Sequence, residues 1–419
     1  MTGYRWWICV LLFFGTTICY LDRQVIALLK VTLQKDMRMD EAQYALVVVW
    51  FQAAYAAGYL FAGRLNDILR VRRGYALSVA VWSLAAAGHA FVRSVTGLSI
   101  ARVVLGLSEG GNFPAAIRSV SEWFPRKERA LATGIFNAGS NVGVIVSALM
   151  VPWIALSFGW PAAFLVTGAL GFIWLIPWLA FYRQPEDQPR VSAAELSYIQ
   201  SDPPDPQAKI PWLSLLRYRS TWAFVVGMIM SSPFWWFYLF WVPGFLFDRF
   251  GVDLKRIGAP LIIVYLIADV GSVAGGWLSS TLIKRGKSVN TARKTALLVC
   301  ALCVAPVLIA SQTNNMWLAV GVIGLAAAAH QGWSANLYTF VSDTTPRKAV
   351  SSVVGMGGFA SSVAAIFFSA FVGYVLQVTN KNYALLFGLA PSSYLLAILA
   401  MHFFVPKIQQ PLETQVALR

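Results

Sequence analysis

Two pairs of ionisable residues interrupt stretches that are otherwise apolar: Asp22 with Arg23, and Arg102 with Glu109. An ionisable side chain at the centre of a membrane-spanning helix costs roughly 2.5 kcal/mol or more, so each of the four is a candidate for function. Arg102 and Glu109 are about two helical turns apart and share one face, with Gly106 between them. Asp22 and Arg23 are adjacent, about 100° apart on a helix, and do not face each other. Their expected partners are Glu109 and Arg102 across the bundle, which makes one buried network of four charges. Such a network links two kinds of chemistry. Desolvation favours a protonated carboxyl and a neighbouring guanidinium favours the ionised one, so a small rearrangement lets Asp22 or Glu109 take up or release a proton. An arginine freed by that protonation presents a planar fork suited to a carboxylate.

Neutral candidates accompany the charges. His330 lies as far after Glu109 as Asp343 lies after Glu122, an offset that recurs between the two halves of the chain. Gln331, Asn336, Tyr338, Asn137, Asn141 and Tyr55 could hydrogen-bond ligand hydroxyls, with polar contacts between helices an equal alternative for each. The aromatic block Phe234 to Trp241, between Pro233 and Pro243, offers a ring such as Trp236 for stacking on a sugar or for an interfacial belt. Asp269 lies beside Gly271, Gly275 and Gly276, where close helix packing is the commoner role.

The elements that hold these residues follow from composition. Of 419 residues 58% are hydrophobic and 12% charged, against about 25% charged in a soluble protein. The apolar residues come in runs of about 20, enough to cross a hydrocarbon core. Helices are expected near 6–30, 42–66, 74–93, 97–120, 130–155 and 161–182, then near 221–247, 257–283, 292–311, 316–341, 349–377 and 383–405. The fold class is therefore an all-α membrane protein of twelve transmembrane helices in two six-helix bundles. Domain limits are 1–182, a linker at 183–219, 220–405, and a tail at 406–419.

The net charge of +15 is spread over alternate loops: Arg64 to Arg73, Arg118 to Arg129, Lys284 to Lys294, and Arg347 with Lys348. That is the positive-inside pattern, with both termini cytoplasmic, and it lacks the single patch of a nucleic-acid binder. Cys9, Cys19, Cys300 and Cys303 sit in apolar runs and imply no disulfide framework. The run from Trp6 lacks a small-residue cleavage site and is expected to be a retained helix. Glu122 to Lys127 recurs as Asp343 to Lys348, and at that same offset Gly134 recurs as Gly355 and Ser140 as Ser361. Gly63-Arg-Leu recurs as Gly276-Trp-Leu at a slightly shorter offset. Parallel repeats of this kind mark two-bundle secondary transporters.

At these residues the chain resembles the major facilitator superfamily, and within it the anion:cation symporter family of organic-acid carriers. Gly63-Arg-Leu-Asn-Asp67 with Arg72 and Arg73 resembles the superfamily's loop motif, although Ile68 and Arg70 stand where a basic residue and a glycine are usual, and Ser280 replaces the aspartate in the second copy. Tyr20-Leu-Asp-Arg23, Arg102 to Glu109 followed by Phe113-Pro114, and Ser121 to Arg129 resemble the family's further motifs. The resemblance implies proton coupling at Asp22 and Glu109, anion handling at Arg23 and Arg102 with Tyr20 beside them, and gating at Asp67, Arg72 and Arg73. His330-Gln331 is most similar to the hexuronate branch. Asn141 and Gly358 stand where the galactonate branch tends to carry Gln and Asn.

The expectation is a proton-coupled importer of a sugar acid such as glucuronate or galacturonate, working by alternating access in a bacterial inner membrane. It is expected to be no enzyme, to use no metal or cofactor beyond the proton, and to meet a small carboxylate-bearing substrate and the bilayer as a monomer. Alternatives on the same fold are an organic-anion or sugar-phosphate exchanger and a non-transporting anion sensor.

Overall fold

A computed structural model describes residues 3–202, 211–252 and 258–408. The α-helices in chain order are α1 Tyr4–Leu28, α2 Lys30–Asp36, α3 Glu41–Gly88, α4 Val95–Glu109, α5 Asn112–Trp123, α6 Arg126–Phe158, α7 Trp160–Phe181, α8 Ala193–Ile199, α9 Arg219–Phe250, α10 Gly258–Lys284, α11 Val289–Val304, α12 Met316–Thr344, α13 Val350–Val378 and α14 Ala384–Phe404. Among the described residues ten segments are long and apolar enough to cross a membrane. One of them, in α3, is long enough to cross twice: it bends at Arg70, whose φ of 62° and ψ of 154° leave the helical region. The remaining crossing is α4 continued by α5. Together these make the expected twelve.

The fourth crossing tightens locally between α4 and α5. Gly110 and Gly111 keep right-handed helical dihedrals, and the Gly111 N–H donates to the Ser108 carbonyl, three residues back, at 3.2 Å. A Cβ on Gly110 would lie 2.5 Å from the Gly58 backbone and one on Gly106 would lie 2.6 Å from the Phe51 carbonyl, so α3 lies directly against this turn. Pro114 falls in the first turn of α5, where a missing N–H costs nothing. Conversely, Pro233 and Pro243 lie inside α9 without ending it. Large apolar side chains such as Trp7, Leu156 and Phe403 face outward, as lipid contact requires, while small residues carry the packing between helices.

Two compact units emerge. The first comprises Met1–Pro125, Gly139–Pro204 and Arg347–Phe359; the second comprises Arg126–Ala138, Asp205–Pro346 and Ala360–Arg419. Each contains one helix crossing built on the repeat. In the first, a Cβ on Gly63 would lie 2.5 Å from the Ser351 carbonyl, and one on Gly355 would lie 2.4 Å from that of Tyr59. In the second, a Cβ on Gly276 would lie 2.2 Å from the Ala130 carbonyl, and one on Gly134 would lie 2.3 Å from that of Ser272. Ala130 and Ser351 are equivalent positions of the repeat, as are Gly134 and Gly355, so the same backbone-to-backbone contact occurs once in each unit.

The linker has structure of its own on either side of 203–210, which lie outside the described residues: a 3-10 turn at Pro185–Asp187, α8, and another 3-10 turn at Trp212–Arg217. α8 is tied to the start of α1. Glu195, fully buried, accepts the Tyr4 backbone N–H at 3.1 Å, the Arg5 N–H at 3.3 Å and Arg5 Nη1 at 2.9 Å. Gly3, the residue before α1, makes no side-chain cap, so a carboxylate from the linker satisfies donors that a helix N-terminus otherwise leaves open.

Candidate functional site

α1 and α4 bring Asp22, Arg23 and Arg102 within electrostatic reach of Glu109 and join two of the four charges, Arg23 and Glu109, as an ion pair. Arg23 donates from Nε to Glu109 Oε2 at 3.0 Å, with Nη2 also 3.0 Å from that oxygen but outside hydrogen-bond alignment. Glu109 is fully buried as the last residue of α4. The Arg23 guanidinium stands over the rings of Tyr55 at 4.3 Å, Tyr20 at 4.6 Å and Phe51 at 5.5 Å, and that of Arg102 lies 4.0 Å from the Phe51 ring. Phe51 and Tyr55 stack, and the Tyr55 hydroxyl donates to that of Tyr59 at 3.3 Å. An aromatic wall on α3 thus faces both guanidinium groups, with the ring quadrupoles offsetting part of the cost of holding cations out of water.

Of the network expected from spacing, the one ion pair among the described residues is Arg23 with Glu109. Arg102 is 2% exposed, yet among the described residues its Nε and Nη1 meet no acceptor. Asp22 is 1% exposed and neither carboxylate oxygen has a hydrogen-bond partner there; the nearby Thr167 hydroxyl on α7 is turned to the Phe164 carbonyl at 3.4 Å. Adjacent positions on α1 send Arg23 toward α3 and α4, and Asp22 toward α7. The sequence contained that divergence, but not which helix lay on each side. Phe51 was missed, although its spacing of four from Tyr55, and Tyr55's from Tyr59, already marked an aromatic face of α3.

In the second unit the expected candidates are neutral groups. Asn137 Nδ2 donates to Gln331 Oε1 at 3.0 Å and to Ser272 Oγ at 3.2 Å. His330 stacks on Trp235 with centroids 5.3 Å apart and pairs through Nδ1 with the Tyr394 hydroxyl. Trp236, the ring expected to stack on a sugar, stacks on Phe240 at 5.6 Å. Neither Trp235 nor Tyr394 was foreseen, because the ring that faces α12 depends on the rotation of α9. Asn336, fully buried, donates from Nδ2 to the Gly275 and Gly332 carbonyls at 2.9 Å each, joining α10 to α12, while its Oδ1 has no hydrogen-bond partner among the described residues. Tyr338 lies against Phe224 at 5.8 Å. Asn141 is buried in the part of α6 that belongs to the first unit. Close packing is also what the glycines beside Asp269 do, since Gly271 and Gly275 abut Ala328 and Gly332. His89 bonds the Ala85 carbonyl and stacks on Phe164, a core role. The four cysteines are free thiols.

Of the expected gating residues, only Asp67 sits in a bonded cluster. Its Oδ1 receives Arg118 Nη1 at 2.8 Å and its Oδ2 receives the Ser352 N–H at 2.8 Å and the Ser352 hydroxyl. Arg118 also donates from Nε to Glu122 at 3.0 Å, and Tyr182 donates its hydroxyl to the other oxygen of Glu122 at 2.9 Å. Burial, then the neighbouring Glu122 carboxylate, push the Tyr182 phenol well above its ordinary range and keep it a donor. Arg72 and Arg73 are exposed and lie outside this cluster: Arg72 donates to the Leu179 carbonyl at 2.6 Å. Among the described residues no cluster of His, Cys, Asp and Glu is arranged to hold a metal ion.

The family model of the major facilitator superfamily matches residues 12–369. The chain belongs to that superfamily. It is a multi-pass membrane transporter and not an enzyme. It is 32% identical over 379 residues to the hexuronate transporter of Escherichia coli strain K12, covering 88% of this chain and 87% of that one. It is 35% identical over 282 residues to the galacturonate transporter of Dickeya chrysanthemi, covering 66% and 81%. Among solved structures, the proton:xylose symporter XylE bound to 6-bromo-6-deoxy-D-glucose matches with a TM-score of 0.74 at 16% identity, covering 99% of both chains. That last likeness is one of fold.

Proposed function

We propose that this chain imports a sugar acid, a hexuronate such as glucuronate or galacturonate, together with protons, across a bacterial inner membrane. The observation that carries the reading is the buried Arg23–Glu109 pair, flanked by an arginine and an aspartate whose polar atoms are unmet among the described residues. An unmet charge in a membrane span is expensive and is retained where it meets a substrate or a coupling ion. Arg102 has unused donors in the fork geometry that a carboxylate fits. Protonating Glu109 would release Arg23 for the same task, which ties proton uptake to anion binding. Asp22 would be the second proton carrier, and the proton the sole coupling species.

The similarity to hexuronate and galacturonate transporters supports a hexuronate as the anion. The neutral groups Asn137, Gln331 and His330, with Trp235, suit the hydroxyls and ring face of such a substrate. The transport cycle would be the alternating access of the superfamily, run by a monomer with both termini cytoplasmic. The test is uptake by proteoliposomes given hexuronates, aldonates and dicarboxylates under an imposed pH gradient. Accumulation of a hexuronate that collapses with the gradient is the expected result. Accumulation that instead needs a counter-anion inside and ignores the gradient would establish exchange.

A further inference from the structure

A cavity of about 600 Å³ opens in the first unit at the bend of α3, and it is lined by Arg70, Arg72, Arg73, Arg183, Glu122 and Tyr182 among others. The four arginines are exposed. Arg72 is anchored to the Leu179 carbonyl, and a carbonyl leaves its charge uncompensated. Among the described residues, Arg70, Arg73 and Arg183 form no side-chain hydrogen bond or ion pair. Glu122 does not neutralise them, because Arg118 and Tyr182 occupy its two oxygens. Asp187 is the one other carboxylate of the lining.

The repeat shows why these cations are left over. Arg72, Arg73 and Glu122 are the repeat equivalents of Arg293, Lys294 and Asp343, all three pairs sharing one offset. In the second unit Arg293 is fully buried and its charge is used within the fold: Nε reaches Asp343 at 2.8 Å, Nη1 the Ser279 hydroxyl at 2.7 Å, and Nη2 the Arg126 carbonyl at 2.7 Å. At the same offset, Arg118 of the first unit corresponds to Thr339 of the second. With Arg118 on its own acid, the first unit has no place for Arg72 there. The arginines turn outward and a cavity takes the place of the ion pair. Arg70 adds to it from a left-handed backbone conformation, φ 62°, that a side chain makes unfavourable.

We propose that this cavity binds a phosphate group, carried either by an anionic lipid headgroup or by a soluble phosphate ester. Several guanidinium forks around one space exceed what a lone carboxylate can satisfy and match an anion with three acceptor oxygens. Ile68, 62% exposed, sits in the same lining and gives it the apolar edge found where headgroups meet a membrane protein.

The test uses the full-length protein in nanodiscs of phosphatidylcholine. One arm adds phosphatidylglycerol and reads retained lipid by native mass spectrometry. The other adds glycerol 3-phosphate and reads the shift in thermal unfolding. A response in the first arm assigns the headgroup, and a response in the second assigns the ester. Arg70→Gln with Arg183→Gln should weaken the responding ligand by about 25-fold, about five-fold for each arginine. Arg70→Gly provides the check on folding: glycine accepts the positive φ, so this variant should unfold at a higher temperature while still binding about five-fold more weakly. Neutralising Arg285 and Lys287, which lie outside the cavity, should leave binding as it was. A wild type silent in both arms, or equal losses from the cavity and control variants, would overturn the proposal.

Discussion

The first unit holds four charges in its membrane spans, whereas the second presents amides, a histidine and aromatic rings in the polar site it builds. Both arise from the same six-helix repeat, as Gly63 on Ser351 and Gly276 on Ala130 show. The difference is chemical and lies in a few substitutions on a shared frame. Arg23 and Glu109 form an ion pair against an aromatic wall, while Asn137, Gln331 and Ser272 form a chain of neutral hydrogen bonds. Under the proposed function, a duplicated bundle would divide coupling from recognition, with proton response in one unit and hydroxyl recognition in the other.

The largest expected effect comes from removing the charge that defines the first unit. Glu109→Gln should abolish accumulation driven by a pH gradient while leaving counterflow, and should lower stability by about 3 kcal/mol, because Arg23 is left without its buried partner. Retained pH-driven uptake in this variant would erase the distinction between the units. Arg23→Lys keeps the charge but loses the fork, so hexuronate affinity in a binding assay should fall about ten-fold.

The second unit is probed by its rings. Trp235→Ala should weaken apparent substrate affinity by about ten-fold, the stacking on His330 being lost, and Trp236→Ala should leave it unchanged. An equal loss from both would mean that the rings act only as packing. The smallest effect lies outside both sites: Glu195→Gln should reduce stability by about 1.5 to 3 kcal/mol through its bonds to Tyr4 and Arg5, with transport intact once the protein is folded.

The helices and the charges within them were legible because both follow from local rules. Apolar length marks a span, and an ion in such a span stands out against its neighbours. Four details were not legible. The tightened turn at Gly110 and Gly111 was hidden because glycine in an apolar run can pack or turn. Trp235 was hidden behind Trp236 because a one-residue choice depends on helix rotation. Asn336 stayed open between ligand and helix contact, because an amide serving carbonyls of α10 and α12 has the same signature as one serving a substrate. The linker read as a polar connection, although Glu195 and α8 are fastened to α1.

By itself, then, the sequence determined the solvent, the number of crossings, the repeat and the identity of the buried ions, since each depends on hydrophobicity or spacing along one chain. Only the tertiary structure decided how those ions are matched. Pairing Arg23 with Glu109, leaving polar atoms of Asp22 and Arg102 unmet, and turning Arg72 and Arg73 outward all depend on which helix lies beside which. In a membrane interior, where every unmet charge is costly, that choice separates the residues used for stability from those available for transport.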